Sequence, residues 1–150
     1  MNSSLPAFRE PTSSEKVFNR IFGFIVGLGL VPNKYLLEVR GRKSGKLFST
    51  PVNLLELNSK KYLVAPRGQT QWVRNAEAAG EITLKRGGAR LQFRLRPLAE
   101  AEKLDVLKTY LDTYKSEVQR FFTVPAGSPP QAFAPIAASY PAFELLLITG

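Results

Sequence analysis

The sequence predicts an α+β fold, a mainly antiparallel sheet with helices or a small barrel. Strand-like alternation fills the middle of the chain from Tyr35 to Leu98, and a three-and-four repeat follows from Glu100 to Phe122. Glycine, asparagine and proline punctuate the joins between these segments. The 150 residues suit one domain, 1–150, with a continuous core.

Val17, Ile21, Phe24 and Leu28 recur at helical spacing after a Ser13 or Ser14 cap, so residues 1–31 are read as an amphipathic N-terminal region. The apolar run Ile21–Val31 is too short for a membrane span, which needs about 20 apolar residues. Core packing is favoured there over shallow membrane contact. In "YLLEVR", Tyr35, Leu37 and Val39 alternate with Leu36, Glu38 and Arg40. "GRKSG" turns the chain into a strand through "LFSTPVNLLEL", where Pro51 marks an edge or a bulge because it has no N–H for a ladder. "NSKK" closes a second hairpin onto "YLVAP".

A short helix is expected over Gln71–Ala79, ended by Gly80. Gly87-Gly88 joins "EITLKR" to "ARLQFRLRPL", which sets Leu91, Phe93 and Leu95 on one face and Arg90, Arg94 and Arg96 on the other. The arginine face is expected to be wet or to bind something anionic. Leu104, Leu107, Leu111, Tyr114, Val118 and Phe121 form the buried stripe of one long helix. The proline-rich segment after it is too apolar for a solvated linker, and "FELLLI" reads as a buried last strand.

The chain has neither cysteine nor histidine, which removes disulfides, thiolate nucleophiles, histidine bases and the usual zinc ligands. Any chemistry is therefore expected to come from a bound cofactor. The net charge of +9 asks for an anionic partner. It is concentrated between Arg40 and Arg96, where 13 cations face only Glu56, Glu77 and Glu81. No helix-turn-helix, zinc motif or aromatic strand platform accompanies the charge, so nucleic acid is not the expected partner.

The basic turn offers glycines that let backbone N–H groups converge, the Ser44 hydroxyl, the fork of Arg42 and the mobile charge of Lys43. Taken alone, it is equally an exposed hairpin with solubilising charges. Downstream, "APRGQTQWVRN" places Trp72 and Asn75 on the short helix behind Arg67-Gly68. A flat apolar ring and an amide that donates and accepts suit a ring-bearing ligand, although a lone Trp there is more often core.

Together the elements say more. G-R-K-S-G, a T-P-V five residues later, a strand ending in V-A and a W-x-x-N helix stand in one order. In this the chain resembles the deazaflavin (coenzyme F420)-dependent nitroreductase and quinone reductase family. The resemblance is good from Leu30 to Leu98 and loose in the flanking helices.

It implies a split β-barrel of about six strands with flanking helices, binding coenzyme F420 in preference to FMN. The implied activity is hydride transfer from the reduced cofactor to a quinone, nitroaromatic or similar acceptor. By the same resemblance Arg42, Lys43 and Ser44 receive the cofactor phosphate. Phe48, Ser49, Thr50, Pro51 and Val52, with Ala65, Pro66 and Arg67, line the cofactor, and Trp72 and Asn75 flank its ring system. Tyr114 is the tyrosine chosen to assist the acceptor, ahead of Tyr110 and Tyr140. No metal is expected. A barrel that holds a deazaflavin, a flavin or a fatty acid without turnover is the alternative. The chain is expected to act in the cytoplasm as a monomer or homodimer, with the N-terminal helix as the route to any peripheral membrane contact.

Overall fold

The structure, a computed structural model, describes residues 34–148. The expected N-terminal helix, and with it the choice between core packing and membrane contact, lies outside the described residues. Among the described residues no helix is long and apolar enough to cross a membrane.

Strand β1 (Lys34–Arg40) pairs antiparallel with β2 (Leu47–Asn53), Val39 facing Phe48, Leu37 facing Thr50 and Tyr35 facing Val52. The segment "LFSTPVNLLEL", expected as one strand, is two: Leu54 parts β2 from β3 (Leu55–Leu57). After a two-residue turn in which Asn58 and Ser59 both have positive φ, β4 (Lys60–Val64) returns along β3. Helix α1 (Gln71–Ala79) leads into β5 (Glu81–Arg86), β6 (Ala89–Pro97) and, after the helical region, β7 (Ala142–Leu147).

All seven strands form one antiparallel sheet in the order β2-β1-β5-β6-β7-β4-β3. Its two ends are β2 and β3, and a single residue connects them. A flat sheet of this order would hold those ends about six strand widths apart, at about 4.7–4.9 Å for each width. One residue spans less than 4 Å. The sheet must therefore curl until its ends meet, and β2 does touch β4. The result is a split barrel with seven strands rather than the six or so expected, Pro51 standing in an end strand as its missing N–H requires.

The apolar residues sort to the two faces of this curled sheet. Leu37, Val39, Leu54, Leu63, Ile82, Leu84, Phe93 and Leu145 fill the barrel, with Ala76 of α1 packed among them. On the outer face, Leu55, Tyr62, Val64 and Ala142 meet the helical region. That region begins with a 3-10 turn at Glu100–Glu102, continues as α2 (Lys103–Thr113) and α3 (Lys115–Val118), and ends in a 3-10 turn, Gln119–Phe121. The expected single helix is thus broken at Tyr114, where φ −114° and ψ 27° leave the helical range. Its apolar stripe survives the break, because Leu107, Leu111, Tyr114 and Val118 are all buried.

The proline-rich segment becomes a 3-10 helix, Pro130–Ser139, that sends Phe133, Ile136 and Ala137 into the same cluster. Phe122 stacks on Tyr140 with centroids 4.4 Å apart and meets Phe133 edge-on at 6.1 Å.

The arginine face of β6 finds its anions inside the protein. Arg90 Nη2 lies 2.9 Å from the buried Glu38 carboxylate, which Lys85 also approaches at 3.3 Å. Arg96 is shared between Glu144 at 2.9 Å and Glu102 at 3.0 Å. Two of the three arginines therefore pair with carboxylates from β1, β7 and the Glu100–Glu102 turn while staying at least part-exposed, so of the two expected readings the face is the wet one.

Candidate functional site

The basic turn Gly41–Lys46 closes at its base, where Gly41 N–H donates to the Lys46 carbonyl at 2.7 Å and Gly45 N–H to that of Gly41 at 3.0 Å. Gly45 has φ 73°, a conformation costly for other residues. A Cβ on Gly41 would stand 2.6 Å from the Phe48 ring, so that glycine admits the ring against the backbone. Arg40 Nη1 donates to the Gly45 carbonyl at 3.1 Å and the Ser44 hydroxyl oxygen accepts from Lys46 N–H at 3.2 Å. These contacts use Arg40 to brace the turn, while Arg42, Lys43 and Ser44 remain exposed at its tip.

Helix α1 grips this tip. The Oδ1 atom of Asn75, a buried residue, accepts from the Arg42 backbone N–H at 3.0 Å and from Arg42 Nη1 at 2.8 Å. Gln71, one turn earlier on the same helix face, accepts from Nη1 at 3.0 Å. The W-x-x-N helix and the G-R-K-S-G turn are thus one assembly, with Asn75 as the joint. Gln71 and Gly41 were not among the expected site residues. The four-residue spacing of Gln71 and Asn75 was the available signal for the first, and the glycine that opens G-R-K-S-G was the signal for the second.

The residues expected to line the cofactor fall into two sets on β2. Phe48, Thr50 and Val52 sit opposite Val39, Leu37 and Tyr35 and share the barrel-side face with them. Ser49 and Pro51 alternate onto the other face, so their side chains cannot border the same surface. Phe48 is 49% exposed, a large apolar ring left uncovered beside the basic turn.

Ala65, Pro66 and Arg67 follow β4 into α1. Ala65 N–H donates to the Pro141 carbonyl at 2.8 Å, and Gly68 N–H donates to that of Ala65 at 3.2 Å. Trp72 is partly buried against Phe143, with centroids 6.4 Å apart, and joins Ala65 and Val73 in a small cluster. The Arg67 guanidinium lies 5.9 Å from the Phe121 centroid. Its Nη2 is buried without a hydrogen-bond partner, as is Oγ1 of Thr70 in the same loop. Buried polar atoms are nearly always paired, so two orphans in one short loop suit a polar ligand there.

Tyr114 is not gathered with these residues. Its ring belongs to the cluster on the outer face of the sheet, 5.3 Å from Tyr110, and its hydroxyl donates to the carbonyl of Leu54, the residue that joins the sheet ends. Tyr140 is likewise engaged, donating to the Phe121 carbonyl at 2.6 Å. Burial raises the pKa of Tyr110, Tyr114 and Tyr140 alike, the last to about 12.

The consequence for stability has a definite sign. An unfolded tyrosine loses its proton near pH 10, whereas these keep theirs, so the unfolded state binds fewer protons above that pH. Stability is expected to fall between about pH 10 and 12, measured by urea unfolding monitored through circular dichroism. Tyr140→Phe should flatten that fall.

The basic turn offers a cationic tip beside a half-exposed aromatic ring, and the loop before α1 holds one guanidinium nitrogen of Arg67 without a hydrogen-bond partner. No described cluster of carboxylates suits a metal ion. An elongated anionic ligand fits such a set, and the comparisons with known proteins agree. The family model for F420H(2)-dependent quinone reductase matches residues 14–124. No curated protein matches the sequence. One solved structure, described as a domain-swapped dimer, is 21% identical at a TM-score of 0.54, covering 88% of this chain and 92% of that one. The F420-H2 dependent reductase FDR-A is 22% identical at 0.51, with 76% and 94% covered. A NimC/NimA family protein from Clostridium acetobutylicum is 10% identical at 0.51, with 89% and 88% covered. At such identities the structural likeness speaks for the fold. The family match runs through the basic turn, both strands that flank it and the helix that grips it; the chain belongs to the F420H2-dependent quinone reductase family, and is an oxidoreductase whose cofactor is coenzyme F420.

Proposed function

We propose that the protein reduces a quinone, a nitroaromatic or a similar unsaturated small molecule, and that Arg42, Lys43 and Ser44 hold the phosphate of its cofactor. Reduced F420 supplies the hydride when bound, which suits a chain with no histidine or cysteine of its own to offer. The observation that carries this reading is the double acceptance by Asn75, which fixes the Arg42 main chain and side chain together. Held this way, the turn meets an anion without first having to be ordered. Phe48, Thr50 and Val52 give the cofactor an apolar border. Arg67 and Thr70 offer it hydrogen bonds from the α1 loop, and Trp72 flanks its rings. Ser49, Pro51, Ala65 and Pro66 contribute backbone. Tyr114 acts at one remove, by holding Leu54 and so the start of β3. The whole chain works as one domain, as a monomer or a homodimer; one structural neighbour is described as a domain-swapped dimer, and light scattering distinguishes the two.

The test is fluorescence titration of F420 together with stopped-flow oxidation of reduced F420 by menadione and by a nitroaromatic. Tight binding and acceptor-dependent oxidation are expected. Binding without oxidation by either acceptor would remove the proposed substrate class. Arg42→Ala should weaken cofactor binding about 10- to 100-fold, the loss of one charged contact of about 1.5–3 kcal/mol, with kcat at saturation little changed. A fall in kcat at unchanged affinity would move Arg42 away from a remote phosphate.

A further inference from the structure

Lys103 lies outside the site just described, and its surroundings are unusual for a lysine. The residue is 7% exposed, at the start of α2, and its Nζ donates to the Ala137 carbonyl at 3.0 Å. Among the described residues no carboxylate stands within ion-pair distance of that ammonium. Burying a charge without a counter-charge is costly, and buried lysines are ordinarily paired. Desolvation accordingly lowers the Lys103 pKa, with the more distant Glu100 carboxylate acting in the opposite sense.

Lys103 also lines a cavity of about 140 Å³, together with Gln69, Glu77, Pro97, Ala138 and Pro141. We propose that this cavity binds a small monoanion of carboxylate size, which pairs with the Lys103 ammonium and completes its hydrogen bonds. The space is that of roughly four or five waters at about 30 Å³ each, enough for acetate or formate. The charge argues the same way. Glu77 borders the cavity and disfavours a second negative charge, so a dianion such as phosphate is the poorer occupant.

The anion would join three pieces of chain. Gln69 belongs to the loop before α1, Lys103 to α2, and Ala138 and Pro141 to the end of the Pro130–Ser139 segment and the approach to β7. A ligand held among them binds the folded state alone and raises stability by mass action.

The experiment uses the full chain and acetate as the probe. Saturation transfer from protein to the acetate methyl is measured at constant ionic strength, with sulfate as the balancing anion because Glu77 disfavours its second charge. Thermal unfolding is followed in the same buffers. Transfer to acetate is expected, with Tm raised by about 2–4 °C near saturation. Lys103→Met, of similar volume, should lose both effects. An equal response in wild type and Lys103→Met, or no transfer in wild type, overturns the proposal. If Lys103→Met does not fold, Lys103→Gln takes its place: its amide can still donate to the Ala137 carbonyl but it carries no charge, so the acetate response should again be lost, and its retention counts against the site.

Discussion

Replacing Asn75 by alanine should weaken F420 binding by about 10- to 100-fold while leaving the fold intact. The effect is predicted to equal or exceed that of Arg42→Ala, although Asn75 sits behind the turn. Its Oδ1 accepts two hydrogen bonds from Arg42, one from the main chain and one from the guanidinium. Hydrogen bonds to charged groups contribute about 1.5–3 kcal/mol, and the Arg42 N–H left behind would be only part-buried, so the cost falls on the turn's order more than on stability. The measurement is a fluorescence titration with thermal unfolding as control. Asn75→Asp separates positioning from charge: it keeps the acceptor and strengthens the Arg42 contact, but brings a negative charge towards the proposed phosphate seat. Unchanged affinity in Asn75→Ala would mean that the turn is ordered without the helix.

Phe133→Ala is expected to lower stability by about 3–5 kcal/mol, a large part of the roughly 5–15 kcal/mol that ordinarily holds a domain folded. Phe133 has no exposed surface and sits edge-on to Phe122, which in turn stacks on Tyr140. The segment that carries it is a 3-10 helix that sends Phe133, Ile136 and Ala137 into the cluster, so its docking depends on these side chains. Urea unfolding should show a lower midpoint with an unchanged slope. A change below about 1 kcal/mol would show that the Pro130–Ser139 segment is draped over the body and adds little to its core.

Much of the fold was legible because it follows from local rules. The α1 helix begins and ends where Thr70 and Gly80 suggested, and the Gly87-Gly88 hairpin pairs Arg86 with Ala89 as a two-residue turn must. The division of "LFSTPVNLLEL" was not legible. Val52 and Leu54 face the barrel and Leu55 faces the helices, which is the ordinary alternation of one strand, and only the change of partner from β1 to β4 separates β2 from β3. The partners of the arginines were not legible. Glu38, Glu102 and Glu144 lie outside the basic stretch, and only the sheet order brings them to Arg90 and Arg96.

The site divides in the same way. The basic turn and the helix with Trp72 and Asn75 were visible as separate motifs, but the bond between them spans 33 positions of sequence. Tyr114 was rightly placed on the buried stripe of its helix. The acceptor for its hydroxyl, the Leu54 carbonyl, could not be read from spacing, because it depends on how the sheet curls.

The one-residue link at Leu54 has a consequence for life in a crowded solution. A sheet normally ends in two strands whose unpaired N–H and C=O groups invite another chain to add itself. Here β2 and β3 are those strands, and Leu54 brings the end of one to the start of the other. A neighbouring molecule that tried to extend the sheet would meet a three-residue strand on one side and a proline-bearing one on the other. The same short connection that shapes the barrel therefore guards the protein against edge-to-edge aggregation.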